Sequence, residues 1–494
     1  MAARAAFPAG LVLDAHKQQA SAAPIVELPP PMRVVLALDQ GTGYAAEPVV
    51  AVGEAVATGT PVARTDHPFA SALHAPFAGT VVAIEARAAA VAGGRCVCVV
   101  IEGNGSDRID DGVRPVADPG SLSPEELARR LRDAGIAGLG GAGFPTATKL
   151  ASARDRRAQT LLLNGAECEP WICCDDALMR SAADDVVLGA LILRRAAGAV
   201  RCIVAIEDDK PAAIAAVTGA VERLGDAALT LVVVPAVYPQ GAERQLITTV
   251  MGVEVPAGGL PADAGVICQN VATAAAVARW AARGEPLLSR VVTVTGSGVE
   301  RPCNVRAPIG TPLAALIAAA GGYRDTPLRL IAGGNMTGRA LPSDEIGLTK
   351  AINCVLVATR DDLGPRLDAT ELPCIRCGDC ANVCPAGLLP QQLHRAVLAD
   401  AQDVLRQLGL RECIDCGLCD YVCPSQIPLT DRFRGAKHRL DAAEATARKA
   451  ADARERHELR TRRLQDAATA AQQTFESVRD RARTPGSNAA GGTD

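Results

Sequence analysis

Eight cysteines in the carboxyl-terminal third of the chain fall into one pattern written twice. Cys374-x2-Cys377-x2-Cys380-x3-Cys384-Pro385 recurs as Cys413-x2-Cys416-x2-Cys419-x3-Cys423-Pro424. Three thiolates two residues apart can wrap one face of an iron–sulfur cubane. The fourth, beyond a short helical turn, points away and reaches a second cubane. The spacing therefore predicts two [4Fe–4S] clusters: Cys374, Cys377 and Cys380 with Cys423, and Cys413, Cys416 and Cys419 with Cys384. Gly378 and Gly417 share one offset, where backbone amides must approach sulfur closely. CxxC also binds zinc, but zinc sites rarely repeat the whole CxxCxxCxxxCP unit twice. The long interval between the motifs implies an inserted helix near 389–408. Such a chain is expected to transfer electrons.

At 494 residues it exceeds one ordinary core, so three or more domains are expected. With 49% hydrophobic and 21% charged residues it reads as soluble and globular, and with 2% aromatics its cores must be built from Ala, Val, Leu and Ile. A net charge of −4 gives no electrostatic case for nucleic acid. The longest run of large apolar residues, VVLGALIL near 190, falls far short of the ~20 residues that span a bilayer. The amino terminus, MAARAAFPAGLVLDAHK, lacks the apolar core of a secretory signal. The remaining nine of the 17 cysteines, including Cys173 and Cys174, read as small buried hydrophobes in a reducing cytoplasm.

Texture divides the chain into five parts. Residues 1–115 alternate strand-like runs, such as 33–37 and 80–85, with turn signals, and predict a small β domain. Residues 116–285 read as α/β. Ser123-Pro124-Glu125-Glu126 is a capping box with proline at the first helical position, and the helix stops at Gly135. Buried strands are expected at 160–164, 202–206 and 229–234, with a crossover helix at 211–223 and hence a parallel sheet. Residues 286–352 form a compact α+β unit with one helix near 312–320. The cluster domain occupies 353–430. From 431 to 494 the chain reads as one polar helix up to Thr484, followed by a disordered end; the helix is either solvated and laced by salt bridges or a docking element.

Within the α/β part, residues 138–150 are dense in glycine: Gly138, Gly140, Gly141 and Gly143, then Phe144 and Lys149. The run follows a helix, so it is not the standard dinucleotide turn, which leaves a strand. It suits close backbone approach to a phosphate or planar ring, with Lys149 supplying charge, or it is only a tight connection. Two further loops follow predicted strands. Asn164-Gly165-Ala166-Glu167-Cys168-Glu169 offers one amide and two carboxylates, and Tyr238-Pro239-Gln240-Gly241-Ala242-Glu243 offers Gly241 and Glu243. Loops at strand ends are where α/β sheets bind ligands.

The run GLGGAGFPT…K, followed by NGAECEP, YPQGAERQLI and QNVAT, resembles the flavin- and NADH-binding subunit of respiratory complex I. The stretch VGEAVATGTPVARTD…HAPFAGTVVAIE resembles the barrel-sandwich fold of biotinyl and lipoyl carriers. No lysine occurs between Lys17 and Lys149, so carrier attachment is excluded and only the scaffold is shared. The barrel-sandwich piece, the flavin motifs, a β-grasp-like segment and the paired cysteine motifs together resemble the RnfC family over about 1–430. Members of that family are subunits of the Rnf complex, the ion-translocating NADH:ferredoxin oxidoreductase of bacteria. The resemblance implies FMN held by Gly140, Gly141, Gly143, Lys149 and Asn164, with Glu167 nearby. It implies NADH stacked near Phe144, with Glu169 and Glu243 facing its ribose or nicotinamide and Gly241 beside them. Asn270 and Thr273 would line the flavin phosphate side. Ala166 and Ala242 stand where complex I has acids, which loosens the expectation for the dinucleotide.

The implied activity is a relay in which NADH reduces FMN and two clusters pass electrons to membrane Rnf subunits, with ferredoxin or flavodoxin downstream. No acid–base catalytic residue is expected. The protein would lie peripherally on the cytoplasmic face of the inner membrane. Two other readings remain: a flavin-free iron–sulfur adapter, and the flavoprotein subunit of a soluble NAD-linked hydrogenase or formate dehydrogenase.

Overall fold

A computed structural model describes residues 9–324, 327–363 and 370–483. Arg33–Ala37, Gly79–Ala88 and Arg95–Gly103 are rich in Val, Ile and Ala, and these strands form an antiparallel sheet with Ala55–Val56. A second, three-stranded sheet of Glu47–Pro48, Pro61–Arg64 and Leu73–His74 closes over it. Val34, Leu36, Val62, Leu73, Val81, Val99 and Ile101 fill the space between them. The segment ahead of this barrel runs elsewhere. Leu11 bridges to Tyr238, and Val26–Glu27 adds a parallel strand to a sheet near the middle of the chain.

The α/β region holds a four-stranded, wholly parallel sheet in the order Leu229–Val234, Arg201–Glu207, Thr160–Gly165, Val266–Asn270. Side chains alternate between its faces. Leu161 and Leu163 join the core beneath the helices Pro124–Asp133, Ala183–Ala197 and Val271–Arg283. Leu162 packs with Leu246 and Ile247 of the helix Glu243–Met251 on the other side. Covering on both sides explains why these strands read as continuous apolar runs. The expected cap forms: Ser123 Oγ accepts from the Glu126 amide at 3.2 Å. The expected crossover helix is Pro211–Leu224.

The central unit is a six-stranded mixed sheet in the order Val26–Glu27, Cys303–Pro308, Ser289–Thr295, Cys354–Ala358, Arg329–Ala332, Arg339–Leu341, with the helix Leu313–Ala319 against it. The single helix expected between the cysteine motifs is two, Pro390–Leu398 and Gln402–Gln407. The break falls at Asp400, whose φ of +47° lies in the left-handed region, which no helix interior accommodates. The chain then enters one helix, Leu429–Arg483. Its first turns bury Leu429, Phe433, Ala436 and Leu440 in the cluster domain, and beyond residue 446 every described position is exposed. The disordered end expected after Thr484 lies outside the described residues.

Candidate flavin and iron–sulfur sites

The two cysteine motifs fold into related halves. Each begins with an extended loop and ends in a one-turn helix, Asp379–Asn382 or Leu418–Tyr421, that buries the third cysteine. Left-handed backbone recurs at the same offsets. Arg376 and Asp415 follow the first cysteine by two, Gly378 and Gly417 follow the second by one, and Gly387 and Gln426 follow the fourth by three. Arginine, aspartate and glutamine rarely adopt this conformation, so both loops are held to one shape.

One cavity is lined by Cys374, Cys377, Cys380 and, from the other motif, Cys423. A second is lined by Cys413, Cys416, Cys419 and Cys384. Four thiols converging on a small cavity form a donor set suited to an iron–sulfur cubane. Burial pushes the Cys416 thiol up to about 11 and the Cys413 thiol up to about 12. Such thiols stay protonated until a soft metal centre displaces the proton. The Cys413 cavity is buttressed by Lys437, whose Nζ donates to the Cys413 carbonyl at 2.5 Å and pairs with Asp415 at 2.8 Å.

At the carboxyl end of the parallel sheet the structure brings together most of the residues expected around a flavin. Asn164 and Asn270 end adjacent strands. Asn164 Nδ2 donates to the Gly241 carbonyl at 2.9 Å, and its Oδ1 accepts from the Ala166 amide. Lys149 Nζ pairs with Glu243 at 2.6 Å and also donates to the Cys268 carbonyl at 3.2 Å. Burial is the largest influence on the Lys149 pKa and pulls it down, but Glu243 and Cys268 together raise it by more, and the net shift is upward. A Cβ on Gly140 would lie 3.2 Å from Asn270 Nδ2, so any larger residue would have to push the Asn270 side chain aside by a few tenths of an ångström. Asn270 caps the helix Val271–Arg283 through the Ala272 amide and donates to Asp175 at 2.6 Å.

Several expected site residues have other partners. Thr273 is fully buried; its hydroxyl accepts from the Leu139 amide and donates to the Ala137 carbonyl, tying down the glycine loop from behind. Glu167 is buried and accepts from the amides of Asp175 and Asp176 at the start of a helix. Glu169 accepts from the Met336 and Thr337 amides and from Thr337 Oγ1, all on a turn of the central sheet. Phe144 meets Phe69 of the barrel at 5.6 Å between ring centroids. Gly141 and Gly143 hold left-handed backbone in the glycine loop.

A polar cofactor can satisfy buried polar groups that the protein itself leaves without a partner. Gln240 Nε2, Gln269 Nε2, Asp175 Oδ1 and Glu207 Oε1 are buried at or near this sheet edge without a hydrogen-bond partner among the described residues. Burial, reinforced by the Glu167 carboxylate, pushes the Asp175 pKa up to about 7. The residues present fit a polar, planar, anionic cofactor.

Two residues of this region were not singled out from sequence. Arg290 is fully buried and donates to the Leu139 carbonyl at 2.8 Å and to the Lys350 carbonyl, so it fixes the base of the glycine loop. Its signal was available: a lone charge inside the apolar run Leu287–Thr295 has to find buried acceptors. Tyr238 donates from its hydroxyl to the Cys416 carbonyl at 2.6 Å. Around it, Met336, Cys168, Leu418 and Val422 close an apolar contact, and Arg244 pairs with Glu412 at 3.0 Å. The Cys413–Cys416–Cys419 cavity therefore abuts the flavin loops, while Cys374 and Cys377 are exposed.

Family comparisons agree with this division of the chain. Residues 5–106 match the RnfC barrel sandwich hybrid domain, 131–279 the Nuo51 FMN-binding domain, 291–340 the SLBB domain and 373–427 the 4Fe-4S dicluster domain. The RnfC protein of the ion-translocating oxidoreductase complex from Pseudomonas aeruginosa is 46% identical over 465 residues, covering 94% of this chain and 59% of the relative. That of Vibrio cholerae is 41% identical over 408 residues, covering 82% and 52%. The Rhodobacter capsulatus protein is 40% identical over 432 residues, covering 87% and 82%. The chain thus spans little more than half the length of the first two. A solved NAD+-reducing [NiFe]-hydrogenase in the air-oxidized state aligns with a TM-score of 0.43 at 21% identity, covering 60% of each chain. Among the described residues no helix is long and apolar enough to cross a membrane. The matched domains make FMN and two [4Fe–4S] clusters the cofactors. With the R. capsulatus protein aligned over most of both chains, the protein belongs to the RnfC family of ion-translocating oxidoreductase complex subunits.

Proposed function

We propose that this chain is the electron-input subunit of an Rnf-type complex, oxidising NADH and delivering electrons to partner subunits, with ferredoxin or flavodoxin downstream. Bound flavin supplies the conversion of a hydride, an electron pair, into single electrons that iron–sulfur clusters can carry. The chain's residues supply binding, orientation and contact. Gly140, Gly141 and Gly143 allow close backbone approach, Lys149 and Asn164 offer donors, and Asn270 sits at a helix amino terminus suited to a phosphate. Phe144 and Glu243 would border the dinucleotide. Cys413, Cys416, Cys419 and Cys384 would hold one cluster, and Cys374, Cys377, Cys380 and Cys423 the other.

The observation that carries this reading is the Tyr238–Cys416 contact. It joins a loop of the flavin domain directly to one cluster cavity, so input and output lie in continuous protein. The exposed Cys374–Cys377 loop is then the exit. In a membrane complex the chain would be held peripherally on the cytoplasmic face by protein contacts, and high salt would release it without detergent.

The test is anaerobic purification with iron and flavin quantified, followed by titration with NADH. About eight iron atoms and one FMN per chain, with both chromophores bleached by NADH, are expected. Full iron without flavin would instead identify an iron–sulfur adapter.

A further inference from the structure

Between the barrel and the flavin domain lies a cleft that the flavin and cluster sites do not use. It encloses about 930 Å³, within the roughly 300–1,000 Å³ of small-molecule sites, and none of Gly140, Lys149, Asn164 or Glu243 lines it. Five arginines and four carboxylates do. Most of these charges already have partners. Arg129 pairs with Glu126 at 2.7 Å and with Asp133 at 3.0 Å, Arg130 pairs with Glu126 at 2.6 Å, and Arg114 donates to the Asp111 carbonyl at 2.8 Å. Asp110 accepts from Thr60 Oγ1 at 2.7 Å and from the Gly112 amide at 2.9 Å. Arg64 of the barrel and Arg132 of the helix Pro124–Asp133 make no hydrogen bond or ion pair among the described residues. Behind Ala72, a wall residue, Lys350 Nζ donates only to neutral oxygens and has no carboxylate near it among the described residues. His74 lines the same cleft at 7% exposure, and its Nδ1 has no hydrogen-bond partner among the described residues. Burial, with Lys350 and Arg64 adding to it against Asp110, pushes the His74 pKa down to about 3, so the ring is neutral. Buried polar groups are nearly always satisfied. An unpartnered imidazole, two free guanidiniums and an ammonium without a counter-ion form a donor set suited to an anion.

We propose that this cleft is a second nucleotide site, which binds a nucleoside phosphate apart from the flavin and the NADH. Arg64 and Arg132 present planar forks that match the oxygens of a terminal phosphate, a group that NAD+ lacks. Neutral His74 in its Nδ1–H tautomer donates one further hydrogen bond, and Lys350 adds charge from behind the wall. The place for the base is the pair Tyr44 and His67, which both line the cleft and stack on each other with ring centroids 4.1 Å apart at 18°. Tyr44 is 45% exposed in a chain with only two tryptophans, four tyrosines and six phenylalanines. An open aromatic face suits a planar base. Glu47 and Asp66, close in sequence to those two rings, are exposed cleft residues without a partner among the described residues. As carboxylates they accept hydrogen bonds only, which fits the hydroxyls of a ribose. The cleft thus offers separate chemistry for phosphate, sugar and base.

The test is equilibrium dialysis of the full chain with its clusters and flavin in place, with ADP as the probe and saturating NAD+ present to fill the dinucleotide site. Stoichiometric binding of ADP is expected. Arg64→Ala and Arg132→Ala should each weaken it about tenfold or more, the loss of one charge-assisted hydrogen bond. Iron and flavin content should not change, because both side chains are exposed and unpaired. Tyr44→Ala should weaken ADP while leaving inorganic phosphate, the second probe, unaffected. Absence of ADP binding overturns the proposal, as does binding indifferent to both arginine variants. ADP that NAD+ displaces belongs to the dinucleotide site and equally overturns it. Inorganic phosphate held as tightly as ADP would make the cleft a general anion site and refute the nucleoside assignment.

Discussion

Lys149 shows how one side chain serves two demands. Its ammonium balances Glu243 in a half-buried crevice, and one N–H beyond its two protein partners is left for a ligand oxygen. Lys149→Ala removes a charge-assisted hydrogen bond, worth about 1.5–3 kcal/mol. FMN retention should therefore fall roughly tenfold to a hundredfold, with iron content near normal, as read by flavin fluorescence after desalting. Cys384 makes the complementary case. It lies in the cavity of the opposite motif, so Cys384→Ser should damage the cluster beside the flavin domain and spare the one near Cys374. Spin-resonance spectra of the reduced variant distinguish the two, and loss confined to the Cys374 cluster would contradict the arrangement.

At the scale of elements, the flavin domain depends on one close helix crossing. Gly189 of the helix Ala183–Ala197 faces Ala274 of the helix Val271–Arg283 so closely that a Cβ would lie 1.8 Å from the Ala274 carbonyl oxygen. Gly189→Ala must push the second helix away, and overpacking of this kind costs about 1–3 kcal/mol or more. Because that helix begins at Asn270 and carries Thr273 against the glycine loop, its displacement should loosen the flavin as well. Thermal unfolding and FMN content are expected to fall together; a variant with normal stability and full flavin would show that the crossing yields freely.

At the scale of the molecule, three domains meet at Lys350. Its buried Nζ donates to Ser71 Oγ at 2.8 Å and to the Ala72 carbonyl at 2.6 Å, both in the barrel. It also donates to the Gly135 carbonyl at 2.6 Å, at the end of the first flavin-domain helix. Lys350→Met leaves buried acceptors unpaired and should cost about 2–4 kcal/mol. Burial pulls the Lys350 pKa down to about 7. Between that value and about 10.4, the ordinary lysine pKa, the unfolded chain binds more protons than the folded one, so this residue's contribution to stability rises with pH across the window. Melting curves from pH 7 to 9.5 should show a slope that Lys350→Met flattens. Parallel slopes would mean that the ammonium stays charged in the fold.

Local chemistry written in consecutive residues was legible without coordinates. The parallel strands announced themselves because burial on both faces leaves no room for polar residues, and the Ser123 cap because it is satisfied within four positions. The strand Val266–Asn270 was not read, since it is short and ends in Gln269 and Asn270, whose polarity serves the crevice rather than the sheet. The break at Asp400 was hidden because either helix alone satisfies the local pattern. Sequence by itself determined the cysteine frames, the glycine loop and the long polar helix, all fixed by covalent spacing and period. Tertiary structure alone decided which cluster cavity adjoins the flavin loops, that Thr273 and Glu169 serve as ties, and that Arg290 and Lys350 join the domains. Those facts depend on contacts between residues more than a hundred positions apart, where no local propensity operates and only the mutual fit of buried surfaces selects the partner.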